Sequence, residues 1–112
     1  MAITVAIDDD GYPQVGGISP GHHLVFMITD DIGADLEACD EVLEEIAAVR
    51  EGRQPRCDMR WNATRLVVDA AGARLTFAFN ATNNTPVEVP IEQLVDALAK
   101  LRAAIVAAGP RE

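Results

Sequence analysis

The sequence predicts an α+β domain, with an antiparallel sheet of about five strands in the order β-β-α-β-β-β-α packed against two helices. Three observations carry this. Cys57 to Phe79 alternates apolar and polar residues over three short runs separated by turn chemistry. Two longer stretches, Asp30–Gly52 and Pro90–Ile105, carry apolar residues at helical spacing. No repeat and no long linker divides the 112 residues, so a single domain over 1–112 is expected.

At the N-terminus, Ile3, Val5 and Ile7 alternate with Thr4 and Ala6, the pattern of a half-buried strand. Asp8 to Gly11 is a turn, because Asp-Gly tolerates positive φ. Tyr12 to Val15 is a returning strand. Gly16-Gly17-Ile18-Ser19-Pro20-Gly21 is a connection rich in breakers. His23 to Thr29 is a continuous apolar run with β-branched and aromatic content, expected to form a central strand buried on both faces.

Asp30 to Gly52 is expected to form one acidic amphipathic helix. Ile32, Leu36, Cys39, Leu43 and Ile46 make its apolar stripe, and Asp30 or Asp31 supplies the N-cap. Gly52 suits the position just past the helix end, and Pro55 prevents continuation. The segment holds nine of the chain's 18 acids against one base, Arg50.

The three following strands are centred on Cys57–Trp61, Thr64–Asp69 and Leu75–Phe79. Asn62-Ala63 and Asp69–Gly72 turn the chain between them, giving a meander. Trp61, with Arg60 beside it, has two readings, an interface anchor or a residue closing the core beneath the meander, and the core reading is preferred. Asn80 to Pro86 is a polar loop, Val87–Val89 a short extended piece, and Pro90 the first residue of a final helix. Ile91, Leu94, Val95, Leu98, Leu101 and Ile105 form that helix's stripe. Asp96 and Lys100 are spaced to pair, and Gly109-Pro110 stops it.

Composition narrows the function classes. An apolar content of 49% and charged content of 24% are those of a globular chain. The net charge of −9 argues against nucleic acid or an anionic membrane surface as a direct partner. It favours a basic protein, since complementary fields speed encounter. No apolar run approaches the roughly 20 residues needed to span a bilayer. The N-terminal MAITVAIDDDG lacks a basic signal-peptide region, so a cytoplasmic location is expected, with Cys39 and Cys57 as reduced, buried thiols. In that compartment Asn62, Asn80 and Asn83, each two residues before Thr, are turn residues rather than glycosylation sites.

Catalytic and metal chemistry finds little support. His22-His23, with Ser19 and the Asp8–Asp10 turn, is the most reactive-looking group, but it lacks an HxH or HExxH pattern. A calcium loop with Gly11 at its sixth position would put Ala6 first and Gly17 twelfth, where oxygen ligands are needed. A di-metal helix needs Glu-x-x-His, and the acidic helix has no histidine. Gly16-Gly17 belongs to no phosphate-loop pattern. The expectation is therefore a chain with no catalytic, cofactor-binding or metal-binding residues. Its acids Glu37, Asp40, Glu41, Glu44 and Glu45, opposite the apolar stripe, are the candidate partner-binding face. Solvation alone is the competing account of that face. A homodimer formed through an exposed sheet edge is a further possibility.

The order of features also carries a resemblance. Ile18-Ser19-Pro20-Gly21-His22, an apolar run, and paired acids opening a long acidic helix resemble the YacL-like group of small acidic bacterial proteins. The likeness continues through Thr64–Asn80 and into Pro90-Ile91-Glu92-Gln93-Leu94-Val95. Pro20, His23 and the short Asn80–Pro90 loop depart from the group's pattern. The resemblance implies no enzymatic activity, and leaves a homodimer or regulatory binding module open. Small acidic α+β proteins of this style also resemble immunity proteins of contact-dependent growth inhibition. That implies a cytoplasmic, non-catalytic inhibitor of one toxin C-terminal domain, often a basic nuclease.

Overall fold

The computed structural model describes residues 3–78 and 85–109. Phe79, most of the Asn80–Pro86 loop and Pro110 lie outside them.

Strands β1 (Thr4–Ile7) and β2 (Pro13–Gly16) form an antiparallel hairpin with Thr4 opposite Gly16 and Ile7 opposite Pro13. The Asp8 carboxylate closes its turn by accepting from the amides of Asp10 (3.0 Å) and Tyr12 (2.9 Å) and from the Gln14 side chain (2.8 Å). The Tyr12 amide bond in particular holds the Asp8 carboxyl below its ordinary range.

The expected central strand His23–Thr29 is helical instead. Helix α1 (His23–Phe26) runs directly into a π-helical segment, Met27–Ile32. Leu24, Met27, Ile28 and Ile32 are buried at helical spacing. A short apolar run cannot by itself separate a buried strand from a buried helix. Here the His22 side chain caps the first turn, its Nδ1 accepting from the Leu24 amide at 3.0 Å. Gly33, at φ 64°, ends the segment, its amide donating to Ile28 O at 2.8 Å. The acidic helix is correspondingly shorter than Asp30–Gly52. Helix α2 spans Leu36–Arg50, and its N-cap is Asp35, which accepts from the Ala38 amide at 3.1 Å. Its end is as expected: Gly52 at φ 78° lets the Arg53 amide reach Ala48 O at 2.8 Å and the Gly52 amide reach Val49 O at 3.2 Å, a Schellman turn.

The meander follows as β3 (Arg56–Arg60), β4 (Thr64–Asp69) and β5 (Gly72–Phe77), and β6 (Val87–Val89) adds a fourth strand. The order is β3-β4-β5-β6, all antiparallel. Among the described residues there are therefore six strands in two sheets, rather than about five in one, and three α-helices rather than two. Helix α3 (Ile91–Ala108) starts one residue later than expected, with Pro90 as its N-cap.

The sheet's inner face, with Cys57, Leu66, Val68, Ala73 and Leu75, packs on the helices. Helix α2 lies against β3 and β4, α1 against β5, and α3 against α2, β5 and β1. Buried Leu94, Ala97, Leu98 and Leu101 make α3 the central element. Trp61 is half-buried against the core, and Cys39 and Cys57 are free and buried.

Candidate functional site

Helix α2 has two faces set by its sequence. Cys39, Val42 and Ile46 are buried, with Leu43 and Val49 beside them. At about 100° per residue, Glu37, Glu41 and Glu44 fall on one ridge opposite that stripe, with Asp40 and Glu45 on its flanks. Glu37, Glu41 and Glu44 are exposed, and Asp40 and Glu45 are half-buried. The five candidate acids are thus brought together on one surface, and they fall into two kinds.

Three are already engaged. Asp40 accepts from Arg102 of α3 at 2.6 Å, tying the two helices together. Glu44 pairs with Arg53 at 2.9 Å, and Arg53 also meets Glu51 at 3.0 Å. Glu45 accepts from the Gln54 side chain at 3.0 Å. These acids hold the arginines firmly protonated, Glu44 and Glu51 for Arg53, Asp40 for Arg102. Glu37 and Glu41 have no ion pair among the described residues. They are the acids with full charge to offer a partner. Arg53 and Gln54 return to the helix because the Schellman turn at Gly52 folds the chain back, a consequence readable from that glycine. Arg102 comes from a distant helix, and nothing local announces it.

The histidine cluster does not assemble as a catalytic site among the described residues. His22 and His23 begin a helix, not a strand, with ring centroids 6.4 Å apart. The first spends Nδ1 on the cap. The second stacks on Phe77 at 3.8 Å with its Nε2 buried. Burial pushes both imidazoles below their ordinary range, and for His23 the neighbouring His22 adds to this. Ser19 meets His22 through its backbone carbonyl, which accepts from the His22 amide at 3.0 Å. Asp8 is committed to its own turn. Among the described residues no group of three or more His, Cys, Asp or Glu side chains is placed to hold a metal ion. Cys39, with its thiol 3.4 Å from Leu98 O, is pushed up to about 11, chiefly by burial and then by Asp40. That is the behaviour of a core thiol rather than a nucleophile.

One carboxylate that looked like a helix cap has a different place. Asp31 sits on the π segment and reaches the β3–β4 turn. It accepts from the amides of Ala63 and Thr64, each at 2.9 Å, and from the Thr64 hydroxyl at 2.6 Å. Thr64 is fully buried. Asp31 therefore joins the helical layer to the sheet and takes no part in the acidic face.

Besides Arg50, Arg53 and Arg102 at α2, four arginines belong to the sheet. Arg56, Arg60, Arg65 and Arg74 lie on the outer face of the sheet, away from α2, and Asp58 and Asp69 sit among them. Arg65 pairs with Asp58 at 2.6 Å and Arg74 pairs with Asp69. The outer face of the sheet is thus a mixed surface of paired charges, distinct from the acidic ridge of α2. Among the described residues no helix is long and apolar enough to cross a membrane. Comparison with family models, with curated proteins and with solved structures found no match to this chain.

Proposed function

We propose that this chain is a non-catalytic acidic binding protein that neutralises a basic protein partner through the outer face of α2. The observation that carries the reading is the pair Glu37 and Glu41, exposed and without an ion pair among the described residues, on a ridge whose neighbouring acids Asp40, Glu44 and Glu45 are engaged. Exposed charge of this kind acts chiefly on the rate of encounter and on the rejection of wrong partners. The resemblance to YacL-like proteins and to immunity proteins of contact-dependent growth inhibition names the partner class: a toxin C-terminal domain, in the first instance a basic nuclease. On this reading α2 covers a cleft that would otherwise take phosphate.

The test is association of the purified chain with the C-terminal domain encoded immediately upstream of its gene, followed against ionic strength. Glu37→Lys with Glu41→Lys is the informative variant, since both side chains are exposed and neither has an ion pair among the described residues. Association should slow by at least about tenfold at low salt, and its salt dependence should flatten. Equal rates and equal salt slopes in wild type and variant would remove α2 as the docking face.

A further inference from the structure

We infer that the free edge of β1, together with the C-terminal half of α3, is a self-association surface that takes a second copy of this chain in antiparallel register. The inference is independent of the acidic face and goes beyond the proposed partner.

The edges of the two sheets differ in how they are guarded. β3 presents Arg56, Asp58 and Arg60, β6 carries Glu88 and is followed by Pro90, and β2 contains Pro13. Charges and prolines of this sort blunt an edge against further pairing. β1, Thr-Val-Ala-Ile, has neither.

The hydrogen-bonding phase of β1 follows from its turn. The Asp8 amide donates to Tyr12 O at 2.9 Å. In an antiparallel ladder inward and outward residues alternate, so Ala6 and Thr4 bond to β2, and Ile7, Val5 and Ile3 direct their backbone groups outward. Pro13, which lacks an amide hydrogen, stands opposite Ile7, where β2 needs none. The Ile3 carbonyl is indeed turned outward, accepting from Lys100 at 2.7 Å. The outward amides of Val5 and Ile7 have no such partner among the described residues.

Beside this edge runs a continuous furrow between β1 and α3. Three grooves of about 450, 360 and 480 Å³ share Val5, Ile7, Ala104 and Ala108 along their length. The α3 segment Ala103–Ala108 reads Ala-Ala-Ile-Val-Ala-Ala, with Ala103, Ala107 and Ala108 exposed and Val106 55% exposed. A helix segment apolar on all sides belongs in a covered position.

Backbone self-complementarity names the occupant, and charge permits it. Two copies at −9 each repel, and they can approach only where acid is sparse. No Asp or Glu lies within Thr4–Ile7 or within Ala97–Ala108. The two cations there are internally neutralised, Lys100 by Asp96 at 3.0 Å and Arg102 by Asp40. The edge is also self-complementary. With Val5 opposite the second copy's Val5, Ile3 falls opposite its Ile7, outward groups meet outward groups, and a two-fold axis closes the pair. Small alanines at 103 and 107 let the two α3 helices approach over the new strands.

Sedimentation equilibrium of the full chain, from about 1 µM to about 1 mM, tests this together with amide exchange over the same range. The wild type should dimerise, with the Val5 and Ile7 amides gaining protection as concentration rises. Ala103→Glu with Ala107→Glu changes exposed helix positions and places like charges across the axis. It should weaken the dimer at least about tenfold with an unchanged circular dichroism spectrum. A wild type monomeric throughout would overturn the inference. So would a dimer indifferent to both substitutions, or one in which Val5 and Ile7 exchange as fast as in the monomer. The exchange measurement needs no variant, so a variant that fails to fold leaves the test intact. An extended peptide from another protein captured on β1 by a monomeric wild type would likewise overturn it.

Discussion

Asp31 ties the helical layer to the four-stranded sheet through polar contacts. It takes three hydrogen bonds, from the Ala63 and Thr64 amides and the Thr64 hydroxyl. All three donors belong to two buried residues at the end of the β3–β4 turn, Thr64 fully buried and Ala63 at 8% exposure. Removing the acceptor strands two amides and a hydroxyl in a place water enters poorly, and an unmet buried polar group is costlier than a lost bond. Asp31→Ala should therefore lower unfolding free energy by about 2–4 kcal/mol, read from the urea midpoint. Thr64→Val, which removes one donor and leaves the carboxylate its two amides, should lose about 1 kcal/mol. A loss for Asp31→Ala no larger than for Thr64→Val would mean that the turn holds itself. The neighbouring surface acids differ in kind. Glu37 and Glu41 are exposed and without ion pairs among the described residues, so their substitution should act on binding rather than on stability.

At the scale of elements, the decisive feature is the break between the π segment and α2. Gly33 takes φ 64° and ψ −151°, a region favouring glycine, and a Cβ built there meets nothing within 4 Å. Gly33→Ala should thus lose about 1–3 kcal/mol from backbone conformation alone. Gly21, whose added Cβ also meets open space but whose φ is not positive, should accept alanine without loss. Calorimetry on the two variants separates them, and equal melting temperatures would show that the break tolerates an L-residue. This break is also where sequence and structure part company. The meander was legible, since period-two alternation from Cys57 to Phe77 with turns at Asn62-Ala63 and Asp69–Gly72 admits few alternatives. The last helix, its Asp96–Lys100 pair and the Schellman end of α2 were legible for the same reason, local chemistry at fixed spacing. His23–Thr29 was not. Its β-branched and aromatic residues favour a strand, and tertiary burial of Leu24, Met27 and Ile28 with the His22 cap overrides that preference. Once that run is helical, Asp30 and Asp31 fall inside a helix rather than before one, and the cap passes to Asp35. Of the acidic face, the ridge was legible from helical spacing. The partition into free and engaged acids was not, because Arg102 meets Asp40 across 62 residues.

Over the whole molecule, the acidic ridge of α2 is partly neutralised by Arg53 and Arg102, and the outer face of the sheet pairs Arg65 with Asp58 and Arg74 with Asp69. Several buried or half-buried groups are biased toward their neutral forms in the fold, and that sets a pH window. His22 and His23 both have pKa values lowered in the folded state from 6.5, by burial and, for His23, also by its neighbour. The unfolded chain then binds more protons as pH falls below 6.5, so stability declines on that side. The cap has the same requirement, because a protonated Nδ1 cannot accept from the Leu24 amide. On the alkaline side Cys39 is raised from 9.0 to about 11, so the unfolded chain releases its proton first and stability declines as pH rises above 9.0. Burial raises Cys57 in the same direction. The carboxyls of Asp58 and Asp69 are lowered from 3.8 by their arginines, which adds an acid loss only below that value. Opposing the histidine effect is the net charge of −9, whose self-repulsion eases as pH falls from 7. At ~0.15 M salt the screening length is about 8 Å, shorter than the molecule's 13.6 Å radius of gyration, so long-range repulsion is damped while the imidazole packing is not. Urea midpoints at that salt should therefore form a plateau between about pH 6.5 and 9 and fall on both sides. Replacing both histidines with glutamine should flatten the decline between 6.5 and 5. A wild-type midpoint that climbs steadily from pH 7 to 5 would mean that relief of net charge outweighs the histidines, and that the His22–His23 start of α1 contributes little to the stability of the whole.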